Sequence, residues 1–109
     1  MDKFARTPEP PYYAVIFISQ RTEKDAGYSE MAKGMIELAS EQQGFIGVES
    51  VREDSGLGIT VSYWKDEDSI NAWKHQIDHK EAQRLGKQKW YKRYMLRISK
   101  VETAYGFEM

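Results

Sequence analysis

Cysteine is absent from the 109-residue chain, which excludes disulfides, thiolate nucleophiles, iron–sulfur clusters and Cys-ligated zinc together. No stretch approaches the roughly 18 apolar residues of a membrane span. The three prolines all lie in the polar segment 1–11, which has no apolar run of a secretory signal. An excess of one charge is lacking too. Sixteen basic against seventeen acidic residues leave a net charge of −1, unlike a cationic nucleic-acid or membrane binder. Glycine-rich phosphate loops, nucleophile elbows and the HExxH pattern do not occur. These absences point to a reduced, cytoplasmic, single-domain protein able to bury a core unaided. Aromatic residues are plentiful instead, with three Trp, seven Tyr and four Phe. Such rings need a core or a ligand pocket.

Residues 1–11 read as a flexible N-terminal tail, 12–105 as the folded domain and 106–109 as a C-terminal tail. Tyr12 to Gln20 is rich in β-branched and aromatic side chains and predicts a strand. Thr22 and Asp25 resemble a helix cap with an acidic third residue. Tyr28, Met31, Ala32, Met35, Leu38 and Ala39 then follow the helical spacing. A helix over 23–43 is expected, closed by Gly44 as a left-handed cap. Phe45 to Arg52 and Ile59 to Trp64 predict two strands of an antiparallel hairpin around a Gly-rich loop. Asp66, Glu67 and Asp68 favour a helix start, with Ile70, Trp73 and Ile77 as its buried stripe. Asp78 and Glu81 suggest a second helical piece, and Tyr94 to Val101 a last strand. The order β-α-β-β-α-β is the ferredoxin-like α+β arrangement, a four-stranded antiparallel sheet with both helices on one face.

The first strand is apolar on both alternations: Tyr13, Val15 and Phe17 on one side, Ala14, Ile16 and Ile18 on the other. Two helices cover one side only. Each large aliphatic side chain left wet forgoes about 1.5–3 kcal/mol, so a second copy packed sheet to sheet is the expected cover. A tail curled over the sheet of a monomer is the alternative.

Several stretches carry a family resemblance: YYAVIFISQRT at 12–22, EQQGFIGVESV at 41–51, GITVSYWKDEDSINAWKHQIDHKEAQ at 58–83 and WYKRYMLRISKVE at 90–102. Together they resemble the antibiotic biosynthesis monooxygenase-like domain, a dimeric α+β barrel. The resemblance implies a homodimer and a cofactor-independent monooxygenase acting on aromatic or quinol-type substrates, with no metal and no organic cofactor. Non-catalytic ligand-binding dimers and haem-degrading relatives share the fold. The haem-degrading relatives pair an Asn on the first strand with a Trp on the second helix and a His ten residues later. Trp73 matches that Trp, but Gln83 stands at the His position, and Ile16 or Phe17 stands where the Asn would be.

Among side chains that could act, His79 is the expected base or orienting residue, because only an imidazole titrates near neutrality unshifted. Phe17, Trp64, Trp73 and Tyr91 are the expected substrate-binding walls. Trp64 and Trp73 read equally as core residues. Tyr91 and Tyr94 could hold a phenolic hydrogen bond, and Arg97 could stabilise an oxyanion or pair with Glu49. His75 and His79 are four apart, with Asp78 between them. That spacing suits a metal pair on a continuous helix, but Asp78 also reads as a cap that would separate them, and no metal is expected. Residues 80–100 carry eight Lys or Arg and one acidic residue among aromatics. GITVSYW nevertheless lacks the basic start and spaced aromatics of an RNA-recognition strand, so no nucleic-acid partner is expected.

Overall fold

The computed structural model describes residues 3–23, 27–78 and 90–109, without the side chains of residues 77 and 78. The elements are β1 (Tyr12–Arg21), α1 (Tyr28–Ser40), β2 (Phe45–Arg52), β3 (Leu57–Trp64), α2 (Glu67–Asp78) and β4 (Tyr91–Val101). The strands form one antiparallel sheet in the order β2-β3-β1-β4. This is the ferredoxin-like β-α-β-β-α-β fold.

Register fixes which side chains share a face. Val15 lies opposite Ser62 on β3 and Ile98 on β4, and Phe17 lies opposite Thr60 and Leu96. Directly paired residues point the same way, so one face carries Val15, Phe17, Ser62, Trp64 and Leu96. That face meets the helices. Its centre is a cluster of Val15, Ala39, Trp64 and Ile70, flanked by Tyr13, Phe45, Trp73 and Leu96. The opposite face presents Ile16 beside Val61 and Arg97, and Ile18 beside Ile59 and Met95. Ile59 and Met95 are 41% and 50% exposed, and Val51 next to Ile59 is 70% exposed. The expectation of two apolar faces on β1 therefore holds, but Ala14, expected to lie wet in one copy, is buried with Tyr12, and the uncovered part of the outer face is the Val51, Ile59 and Met95 end.

The N-terminal segment packs against one end of that outer face. Ala5 donates its N–H to Glu49 Oε2 at 3.0 Å, and its Cβ lies where a side chain on Gly47 would point. Tyr63 donates its hydroxyl to the other Glu49 oxygen at 2.5 Å. Burial and that carboxylate hold the Tyr63 phenol protonated far above its usual range.

The first helix departs from the expected 23–43. It starts at Tyr28 after Gly27, which is left-handed at φ 79 and makes no side-chain cap. The N–H of Thr22, expected at the cap, is instead drawn to the Trp90 carbonyl at 2.8 Å. That hydrogen bond continues the β1–β4 pairing past Arg21, and Asp25 lies outside the described residues. At the other end α1 stops at Ser40, and Gly44 is left-handed at φ 90 as expected. The second helix begins as its acidic run predicts. Asp66 accepts the Ser69 N–H at 2.8 Å, and that bond together with the Ser69 hydroxyl holds its carboxyl below the usual range.

Candidate substrate pocket

The helix-facing side of the sheet and the two helices enclose a cavity of about 240 Å³. Its roof is a single stripe of α1: Tyr28, Met31, Ala32, Met35, Ile36 and Ala39. Spacings of three and four residues put all six on one side of a helix. Small residues make room at the floor. Ser50 and Thr60 face the cavity from β2 and β3 with their hydroxyls 2.7 Å apart. Ser62 accepts the Trp64 indole N–H at 2.9 Å. These hydroxyls already have partners, so the middle of the cavity behaves as a mainly apolar slot.

One side wall is aromatic. The Phe17 ring lies 5.6 Å from Tyr91 and 5.4 Å from Tyr94 between centroids, and Tyr28 lies 5.9 Å from Tyr91. Edge-to-face contacts of this kind fix ring orientation and leave flat surfaces.

Polar groups concentrate at the two ends. Trp73 lies over Trp64 near the Tyr13 end of β1, and its buried Nε1 has no hydrogen-bond partner among the described residues. Toward the far end of β1, Arg52 donates to the Ser19 hydroxyl at 2.7 Å, the Ser19 carbonyl at 3.3 Å, the Gly56 carbonyl at 2.5 Å and the Tyr28 hydroxyl at 3.2 Å. Tyr91 also donates its hydroxyl to that of Tyr28, at 3.3 Å. Burial, with the Tyr28 hydrogen bond second, outweighs the nearby Arg52 and Arg21 charges and raises the Tyr91 phenol far above its usual range. Tyr91 is a neutral donor throughout ordinary pH. From β1 the cavity is lined by Val15 and Phe17, so the slot runs along the middle of that strand, with the Tyr28, Arg52 and Tyr91 cluster at one end.

Of the expected walls, Phe17, Trp73 and Tyr91 line the cavity, and Tyr94 joins them. Trp64 does not. It is fully buried behind Trp73 as a core residue. Arg97 pairs with Ile16 on the opposite face of the sheet, so the alternation of β4 removes it as an oxyanion donor to this cavity. Its expected partner Glu49 is engaged by Tyr63 and Ala5. His79 lies outside the described residues, as does the Asp78 side chain, and His75 is exposed. Among the described residues no group of three His, Asp or Glu gathers as a metal site, and no carboxylate or imidazole lines the cavity. Nor is any described helix long and apolar enough to cross a membrane. Tyr28 and Arg52 were not expected at the site. Tyr28 read as one more member of the helical stripe, and a lone Arg at a strand end carries no signal of its own.

The family model described as antibiotic biosynthesis monooxygenase matches residues 11–85. The uncharacterized protein YqjZ of Bacillus subtilis (strain 168) is 54% identical over 102 residues, covering 94% of this chain and 90% of that one. A conserved protein from Methanosarcina mazei Go1 superposes with a TM-score of 0.70 at 22% identity, over 82% of this chain and 91% of that one. A variant of SnoaB, a cofactor-independent oxygenase from Streptomyces nogalater, superposes with a TM-score of 0.73 at 10% identity, over 85% and 95%. At such identities the two solved structures speak to the fold.

Proposed function

The chain belongs to the antibiotic biosynthesis monooxygenase family, and from that premise we propose that it oxidises a small, flat quinol or enol with dioxygen, using no metal or organic cofactor. The observation that carries this reading is the apolar slot with aromatic walls and the hydroxyl cluster of Tyr28 and Tyr91, backed by Arg52, at one end. Such a slot takes a planar ring system, excludes water from it and orients an oxygen at that end. The description of SnoaB as a cofactor-independent oxygenase supports the same chemistry.

A substrate of this kind supplies its own electrons. Once a base removes the proton, the enolate carbon passes electrons to dioxygen. Conversion of a ring methylene to a carbonyl gives up four electrons, and one dioxygen takes up four, leaving one oxygen in the product and one in water. No external reductant is required. The protein contributes a base, a dry site and a fixed geometry. His79 is the proposed base, Phe17, Trp73 and Tyr91 the walls, and a second copy the cover of the outer sheet face. A ligand-binding dimer without turnover is the second reading, favoured by the absence of a carboxylate or imidazole among the described lining residues.

Oxygen uptake with anthrone, a ring methylene compound that enolises, tests both. Protein-dependent uptake that falls about a hundredfold or more in His79→Ala is the expected result, the usual scale for removing a positioned base. Unchanged uptake removes His79 from its role. Saturable anthrone binding without uptake leaves the ligand-binding reading.

A further inference from the structure

The Tyr28 hydroxyl accepts two hydrogen bonds, from Arg52 Nη2 at 3.2 Å and from the Tyr91 hydroxyl at 3.3 Å. A phenol oxygen accepts about two and donates one. With both acceptor positions filled, the single proton of Tyr28 is the group left to donate, and Tyr28 lines the cavity. Its surroundings select the sign of what it meets. The Arg21 guanidinium lies 3.5 Å above the Tyr28 ring and that of Arg52 5.8 Å away. No acidic residue lines the cavity among those described. The Arg52 fork is fixed by Ser19 and Gly56 on its other side, so the charge is held in place before any ligand arrives.

We infer that Tyr28, backed by Arg52 and Tyr91, is the anion-recognising end of the pocket and binds the ionised oxygen of an enol or acidic phenol. The inference rests on the aromatic-substrate reading and narrows it: the ligand enters with a negatively charged oxygen at one end of its ring system. Tyr28 contacts that oxygen. Arg52 is a positioning residue, aligning Tyr28 and adding charge behind it.

The test compares two ligands of nearly equal size. Lawsone is a hydroxynaphthoquinone ionised at neutral pH, and naphthoquinone lacks the hydroxyl. Quenching of tryptophan fluorescence reads the affinity of each for the full-length protein. The wild type is expected to prefer lawsone by about tenfold or more, the scale of one charge-assisted hydrogen bond. Tyr28→Phe keeps the ring beneath Arg21, and it should lower lawsone affinity far more than naphthoquinone affinity, so that the preference is lost. Arg52→Lys should lower lawsone affinity more than naphthoquinone affinity, an unequal loss that simple loss of structure would not produce. Equal affinity of the wild type for both ligands overturns the anion site and leaves the aromatic pocket standing. Unaltered preference in a folded Tyr28→Phe protein also overturns it. Failure of both ligands to bind sinks the aromatic-substrate reading and this inference with it.

Discussion

Trp73 lies over Trp64 with ring centroids 5.1 Å apart and planes tilted by 31°, yet the two indoles differ in their hydrogen bonding. Trp64 donates to Ser62, whereas the buried Trp73 nitrogen has no partner among the described residues. One indole closes the core and the other faces the slot. Trp64→Phe leaves the buried Ser62 hydroxyl without its donor, a loss of about 1–3 kcal/mol beyond the packing change. Trp73→Phe removes a donor that was already unsatisfied and escapes that penalty. Urea unfolding should therefore rank Trp64→Phe as the more damaging substitution, while naphthoquinone affinity should fall more in Trp73→Phe. The reverse order in both measurements would exchange the two roles.

Much of this arrangement was legible in the chain. The alternation of β1 announced two apolar faces, and the helical stripe from Tyr28 to Ala39 became the pocket roof. Phe17, Trp73 and Tyr91 were named as walls, but so was Trp64, because ring size does not tell a core indole from one that lines a cavity. The anion-recognising end was not legible, because it is assembled from distant residues: Tyr28 meets Arg52 across 24 positions and Tyr91 across 63. No local pattern records such a meeting. The start of α1 was misplaced for a related reason. Thr22 and Asp25 spell a cap, but α1 starts at Tyr28 after left-handed Gly27, and the Thr22 N–H bonds to the Trp90 carbonyl, 68 positions along the chain.

Two glycines should respond in opposite senses to alanine. Gly34 is exposed within α1, with nothing within 4 Å of a built Cβ. Gly34→Ala should stabilise by about 0.5–1 kcal/mol through helix propensity and lost unfolded-state freedom. Gly44 is left-handed at φ 90, its carbonyl accepts the Lys65 N–H at 2.7 Å, and a Cβ there would collide with the Ser69 side chain. Gly44→Ala should cost about 1–3 kcal/mol. Thermal unfolding of both variants checks the pair, and a stabilised Gly44→Ala would show that the turn is not held as described.

Acid should act on the start of α2. The Asp66 carboxyl is held below its usual range by the Ser69 hydroxyl and the Ser69 N–H. A carboxyl lowered on folding adds stability that is fully present above its unfolded-state pKa and is lost as pH falls through its folded value. Asp66→Ala should therefore melt below the wild type at neutral pH, and the gap should narrow on acidification into the carboxylate range. A gap of constant size down to that range would mean that the cap contributes nothing through its charge.

The outer face of the sheet sets the last expectation. Ile59, Met95 and Val51 are 41%, 50% and 70% exposed there, beside Ile16, Ile18 and Val61. The N-terminal segment meets the Gly47–Glu49 end, and Val51, Ile59 and Met95 stay exposed. A two-fold axis through this face would place the same apolar strip of a second copy against it. Burying one aliphatic side chain is worth about 1.5–3 kcal/mol, so several on each copy are enough to outweigh the cost of association, which itself runs to about 4–15 kcal/mol. Sedimentation at micromolar concentration should give the mass of two chains. Ile59→Asp, which sets a carboxylate at the middle of the strip, should give the mass of one with the far-UV spectrum retained. A wild type that sediments as a single chain would leave the strip wet in solution and would remove the second copy from the function proposed above.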